Sequence, residues 1–397
     1  KLGTTIIVPG IDKNSLGTDK LGFLQLVNIM GGGALEQFSI FALGVVPYIN
    51  ASIIVSLLQM DIIPYFSELG KQGEAGRAKL NQITRYMGIA LAFIQGFVLS
   101  KTFINNGSIM DCLSYALVLT AGTSLVIWMG DKITEKGIGN GISLIIMAGI
   151  VSSLPNMFVS LWSELVVNTS TQALALGITK FLLFVLLYLV ILLGVVYIEI
   201  TERRIPIQYA NKSTSMYGKQ QSYIPFKLNS TGVMPVIFAS MIMAIPSIVG
   251  ALVKNASVKI FINKWLVTNS VTGFIIYMVC IFEFSYFYTF IQLKPSELSE
   301  NLSKNGGFIP GIRPGKETEN YLKSVLKRIT TVGALSLAVI AGLPIIFGAV
   351  SNLSTNISIG GTGLLIVVGV ALETYKQLES SVVSRSYQGS RKRRHRR

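Results

Sequence analysis

Nine stretches of this chain are apolar enough and long enough to cross a lipid bilayer: 39–60, 83–100, 112–129, 138–154, 174–198, 233–253, 271–293, 331–350 and 359–378. A spanning helix takes about 20 largely apolar residues, with a range of ~17–25. Nine such windows within 397 residues leave little chain for any other design. Composition agrees: 51% of the residues are hydrophobic and 13% charged, against roughly 25% charged in soluble domains. The expected class is an all-α polytopic membrane protein. Pro47, Pro235, Pro246 and Pro344 fall inside windows, which membrane helices tolerate where neighbours satisfy the freed backbone groups. The start, "KLGTTIIVPG", reads as the exit end of a further apolar helix whose beginning this chain lacks, not as a cleavable signal peptide. It brings the expected count to ten.

The charges alternate between connecting segments. Segments 61–82 (with Arg85 at the helix edge), 130–137, 199–230, 294–328 and 376–397 hold 26 of the 34 Lys and Arg. Cytoplasmic loops carry the excess of cations, so this side is expected in the cytoplasm, together with the C-terminus. Topology accounts for most of the net charge of +15. Catalytic raw material is scarce. Cys112 and Cys280 lie in or beside apolar runs and form neither a disulfide framework nor a metal spacing. His395 is the one histidine and sits in a basic tail. An ordinary enzyme, a zinc site or a histidine proton relay is not expected, and no cofactor is.

Two loops on the cation-rich side exceed what topology needs: "EITERRIPIQYANKSTSMYGKQQSYIPFKLNS" (199–230) and "LKPSELSENLSKNGGFIPGIRPGKETENYLKSVLKR" (293–328). Loops beyond about 12–15 residues are usually functional or disordered. The Tyr, Ile, Phe and Pro among these cations favour order. "GIRPGKE" falls short of a phosphate loop by one residue between its glycines and by a hydroxyl after Lys316. Basic ordered loops suit docking of an acidic protein or an RNA surface. The tail "SRKRRHRR" suits anionic lipid headgroups or, alternatively, ribosomal RNA.

"GGGALEQFSIFALGVVPYINASIIVSLLQM" (31–60) is the anomaly. Its first half holds three glycines, Glu36 and Gln37, and cannot span. Residues ~23–38 read as a short half-inserted helix broken at Gly31–Gly33. From the residues alone this is equally an ordinary re-entrant segment or a displaceable stopper. A glycine hinge with weak apolar attachment would move at low cost. Val45 and Ile49 share a helix face. Asn50, Ser52 and Ser56 follow on the same helix, where polar groups usually bond a neighbouring helix.

Six segments taken together carry a resemblance: "GGGALEQFSIFALGVVPYINASIIVSLLQ", "KQGEAGRAKLNQITRY", "ITEKGIGNGISLIIMAGIV", "GVMPVIFAS", "NLSKNGGFIPGIRPGKET" and "IGGTGLLIVVGVALETYKQLES". In order and over nearly the whole chain, they resemble the SecY family, the channel subunits of the bacterial protein translocon, in the style of Firmicutes. The resemblance implies a ten-helix clamshell of two inverted five-helix halves, 1–154 and 174–397, joined by an external hinge at 155–173, with most of the first helix absent. It implies a protein-conducting channel of the cytoplasmic membrane that passes unfolded secretory polypeptides across and releases membrane helices sideways.

Residue by residue, the resemblance places Val45, Ile49, Ile146, Ile237 and Ile366 in a pore ring. It places Asn28, Gly31, Gly32, Gly33, Leu35 and Phe38 in a plug. Asn50, Ser52, Ser56 and Ile245 would belong to a lateral gate between the second and seventh helices. Arg203, Arg204, Arg313 and Lys316 would dock the driver. The implied partners are SecE and SecG subunits, the motor ATPase SecA or the ribosome, and a polypeptide bearing a signal peptide. Glu283 departs from expectation, because an uncharged residue is expected inside "IFEFSYFY". It reads as a misjudged depth, a water-filled cavity, or a partner for another subunit's Lys or Arg. The rivals are a secondary transporter, which needs polar groups converging at mid-membrane, and a membrane-embedded enzyme.

Overall fold

The computed structural model describes residues 2–8, 28–59, 63–103, 108–167, 174–209, 222–252, 257, 261–262, 265–266, 270–351 and 355–394. In chain order the helices are α1 (Val46–Leu58), α2 (Pro64–Lys71), α3 (Gly73–Phe103), α4 (Ile109–Lys136), α5 (Gly141–Trp162), α6 (Leu174–Ile200), α7 (Met234–Leu252), α8 (Val271–Gln292), α9 (Pro295–Lys304), α10 (Lys316–Ser351) and α11 (Thr355–Arg394). Strands β1 (Glu202–Tyr209) and β2 (Ser222–Lys227) follow α6, and β3 (Gly307–Phe308) precedes α10. Among the described residues, six helical stretches are long and apolar enough to cross a membrane, and α1 and the first part of α7 are shorter apolar helices.

Local chemistry sets several boundaries. Ser108 accepts a bond from the Met110 amide while Asp111 accepts one from the Ser108 amide, a reciprocal cap that starts α4. Asn140 Oδ1 accepts from the amides of Ile142 and Ser143 and starts α5. α1 begins later than the apolar window 39–60 predicts. Residues 38–45 form turns, with Phe38 at φ 44° and Gly44 at φ 52°, and Pro47 sits in the first helical turn, where its missing N–H costs nothing. Apolar composition ran past the backbone's helical part. The expected hinge 155–173 is helical through Trp162, continues as a π-turn over Ser163–Val167, and lies outside the described residues from 168 to 173. At the start, Leu2–Thr4 form a single 3-10 turn. The chain then extends, with Val8 donating to the Phe38 carbonyl (3.1 Å) and Ile40 to that of Ile6 (3.1 Å).

The helices bury two adjoining apolar cores. One joins α1, α4, α5, α7, α11 and the segment 30–46; the other joins α5 through α8, α10 and α11. α6 shows why water cannot be the surrounding solvent. Gly177, Phe184, Tyr188, Ile191 and Val195 face inward at helical spacing. Its other faces are also apolar, with Leu182, Leu186, Leu189 and Leu193 exposed. A helix apolar all round belongs in a core or a membrane.

Both long basic loops end in one small lobe. β1 pairs antiparallel with β2, from Glu202 opposite Lys227 to Ile207 opposite Ser222. Its far end pairs with β3, Gln208 opposite Phe308. Ile205, Ile207 and Phe226 pack there with Leu302, Ile309, Leu322 and Leu326, a core distinct from the two of the helix bundle. Replacing Phe226 with alanine is expected to cost that lobe about 3–5 kcal/mol. Limited trypsin digestion should then cut at Arg203 and Arg204 faster, while heat stability of the membrane helices in detergent stays unchanged.

Candidate functional site

A cavity of about 490 Å³ opens at the lobe end of the helix bundle. Its floor is aliphatic: Ile49 from α1, Ile146 from α5, Ile237 from α7 and Ile366 from α11 all line it. Val45 precedes α1 and joins these four in one buried cluster, each of the five between 5% and 7% exposed. The side chains expected to form a ring therefore converge from four different helices inside the protein, and none faces outward. They offer no hydrogen bond.

The wall above the floor is polar and charged. Asp131, Glu199 and Glu373 line it, as do Lys227 and Lys376. Arg85 pairs with Asp131 at 2.6 Å. Asn229 is the knot of the wall. Its Nδ2 donates to the Glu199 carboxylate (2.7 Å) and to the Gly232 carbonyl (2.9 Å), and its Oδ1 accepts from Thr231 (3.1 Å). Lys376 Nζ reaches the Glu199 carbonyl at 3.5 Å. These bonds tie the end of α6 to the entry of α7 and to α11. The sequence reading missed this group because its members lie up to 177 positions apart, and no local spacing announces them.

Beyond the floor lies the segment 28–44. Asn28 holds it folded: its Oδ1 accepts from the Glu36 amide (3.0 Å) and its carbonyl from the Gly33 amide (2.8 Å). Gly32 and Gly33, at φ 68° and 85°, take a backbone conformation that glycine adopts without penalty. Gly31 adjoins them, so the expected break at 31–33 is present. The attachment is firmer than the polar sequence implied. Leu35 and Phe38 are fully buried and pack with Met30 in the same cluster as the five aliphatic residues. Main chain also meets main chain. A Cβ at Gly149 of α5 would collide with the Met30 carbonyl, and one at Gly122 of α4 with that of Ile40. These glycines form a seat. Small residues in membrane helices mark such close approach, the one signal that could have found them.

Asn50, Ser52 and Ser56 are half-buried on α1, and Ser52 lines the cavity. The side chain of Ile245 lies outside the described residues. Among the described residues, the side-chain hydrogen bonds of α7 run to itself and to α8, not to α1. Ser240 donates to the Val236 carbonyl (2.8 Å) and lies 3.4 Å from the Tyr277 hydroxyl. Arg203, Arg204, Arg313 and Lys316 are all exposed on the lobe. Arg204 bonds Glu202 (2.8 Å) and stacks 4.7 Å over the Tyr223 ring. The Glu202 bond, with help from Tyr223, raises the guanidinium pKa above its ordinary value.

The SecY family model matches residues 39–375. A protein translocase subunit SecY of Halalkalibacterium halodurans is 45% identical over 98% of this chain and 93% of its own length. The chain belongs to the SecY family. Two solved structures share the fold. One, described as a protein-conducting channel, has a TM-score of 0.64 at 18% identity, with 96% of this chain and 89% of that chain covered. The other, Sec61 in the canine ribosome–channel complex from the endoplasmic reticulum, has a TM-score of 0.62 at 17% identity, with the same coverage. The all-α polytopic SecY fold expected from the sequence is thereby borne out, with the small sheet of the lobe added to it.

The glycine seat yields a direct test. In a variant freed of Cys112 and Cys280, a cysteine replacing Leu35 should react slowly with a membrane-impermeant maleimide. Adding Gly149→Val should raise that rate by about tenfold, the equivalent of ~1.4 kcal/mol. An unchanged rate would mean that the segment is not held by this contact.

Proposed function

We infer that this chain is a protein-conducting channel of a translocase, multi-pass in the cytoplasmic membrane, with the lobe and C-terminus on the cytoplasmic side. The observation that carries the reading is the aliphatic floor beneath a charged wall, backed by the internally bonded segment 28–44. An extended polypeptide enters a wide, hydrated mouth whose charges are mixed in sign and hold no one sequence. It then meets Val45, Ile49, Ile146, Ile237 and Ile366. An apolar constriction gates by dewetting. It blocks ions when closed, seals around any side chain, and binds none tightly enough to stop it. Residues 28–38, including Asn28, Gly31, Gly32, Gly33, Leu35 and Phe38, act as the plug. They occupy the exit until the substrate displaces them from Gly149.

The opening sideways lies between α1 and α7, at Asn50, Ser52, Ser56 and Ile245. A signal peptide's apolar core of ~7–15 residues gains about 0.8 kcal/mol per methylene buried in lipid. Membrane hydrogen bonds average about 0.6 kcal/mol. A joint with few or no such bonds opens for that gain. The two halves, 1–154 and 174–397, part about the segment 155–173. Arg203, Arg204, Arg313 and Lys316 dock a motor ATPase of the SecA kind or a translating ribosome, and the basic tail touches anionic lipid or ribosomal RNA. Ribosome docking is supported by the fold neighbour Sec61, solved in a ribosome–channel complex. SecE- and SecG-like helices complete the complex. The channel supplies passage, and the driver supplies energy. A solute transporter is not favoured: it requires polar groups where this chain places isoleucines, and family membership points away from it.

Reconstitution with a driver decides the matter. Proteoliposomes should take up a signal-bearing polypeptide and show no saturable uptake of small solutes. Ile237→Ser should raise resting ion conductance about tenfold, the factor that ~1.4 kcal/mol of barrier is worth; unaltered conductance would remove Ile237 from the ring. Asn50→Leu should change the export ratio of weak to strong signal sequences, and an unchanged ratio would count against a gate at this position.

A further inference from the structure

α8 presents an outward stripe that none of the described residues covers. Val271, Ile275 and Val279 follow one another at i, i+4 spacing and are 77%, 55% and 50% exposed. The next residue in the series is Glu283, also exposed. At 1.5 Å per residue, it lies about 18 Å from Val271 and about 13 Å from Gln292. That places it well inside an apolar layer ~30 Å thick. Among the described residues it forms no ion pair. An ionisable side chain on a membrane helix normally faces the bundle interior or a paired charge, and this one does neither.

The helix packed beside it supplies no partner. Tyr286, one turn nearer the lobe, donates its hydroxyl to the Lys327 carbonyl (3.2 Å) and bonds Thr331 on α10. Lys327 and Arg328 are exposed beyond that point. At the depth of Glu283, α10 turns Val332 and Leu335 outward. At its other end the stripe runs into an apolar groove of about 480 Å³, lined by Phe261, Trp265, Leu266, Thr272, Ile275 and Ile276. Thr272 fixes the rim by donating to the Trp265 carbonyl (2.9 Å).

We propose that the stripe Val271–Ile275–Val279–Glu283 is the seat of a second membrane-spanning helix that carries a lysine or arginine at the depth of Glu283. A helix about 10 Å across laid on this stripe fills the groove at one end and meets the carboxylate at the other. Charge complementarity selects the occupant. Acyl chains also suit the groove, but they bring no cation to the level of Glu283. The proposal rests on α8 spanning the membrane and is independent of the ring, plug and gate.

A photoreactive phenylalanine derivative at Val279 of the full chain, in native membranes, tests it, with the same probe at the exposed Val190 of α6 as control. The expected result is an adduct at Val279 with a membrane-spanning helix containing Lys or Arg. Glu283→Gln should lower its yield roughly fivefold or more, while Glu283→Asp retains it and the control is unmoved. Glu283→Lys should abolish the adduct, and exchanging the partner's cation for glutamate should restore it. Adducts with lipid alone, or a yield indifferent to Glu283→Gln, would overturn the proposal. So would a Lys327→Gln variant that lowers the yield as far as Glu283→Gln does, because the carboxylate would then be serving its own chain.

Discussion

Hydrocarbon offers no hydrogen bonds, so each backbone group placed in a membrane must find its partner within the protein. The helices meet that demand by themselves. The segment 28–44 cannot, because it turns repeatedly and runs extended beside residues 6–8. It survives at depth because Asn28 and the Ile6–Val8 strand bond it internally and because the glycines of α4 and α5 admit its backbone. Irregular chain is tolerated at this level where protein shields it.

The cavity divides its chemistry by depth. Charged groups occur at the lobe end, where they pair or bond, as Asp131 does with Arg85 and Glu199 with Asn229. The deep end has aliphatic side chains drawn from well-separated parts of the sequence, α1 and α5 on one hand and α7 and α11 on the other. A cluster assembled this way is a joint between parts. Its shape depends on how helices far apart in the chain sit against each other.

Periodicity and length made the helices legible, since apolar runs in α3 to α6 and α8 coincide with observed ones. Composition could not place the start of α1, because Phe38–Val45 is as apolar as the helix it precedes. The five aliphatic residues were legible only through likeness to a family; by residue type each is one more Ile or Val in an apolar helix. Asn229, Lys227 and Lys376 were not legible at all, because their meaning arises from long-range contact. The glutamate in α8 stood out as a single unexpected letter, but its outward direction needed three dimensions. The depth of burial of Leu35 and Phe38 was likewise hidden behind the glycines and polar residues around them.

The lobe has a mechanical consequence. Its sheet joins a strand leaving α6 to one entering α10, and its core includes the first turns of α10 itself. Whatever grips those strands from outside holds α6 and α10 by a single handle. Force applied there is therefore not shared evenly: it enters the helix bundle through α6 and α10 and shifts these two against the helices they pack on.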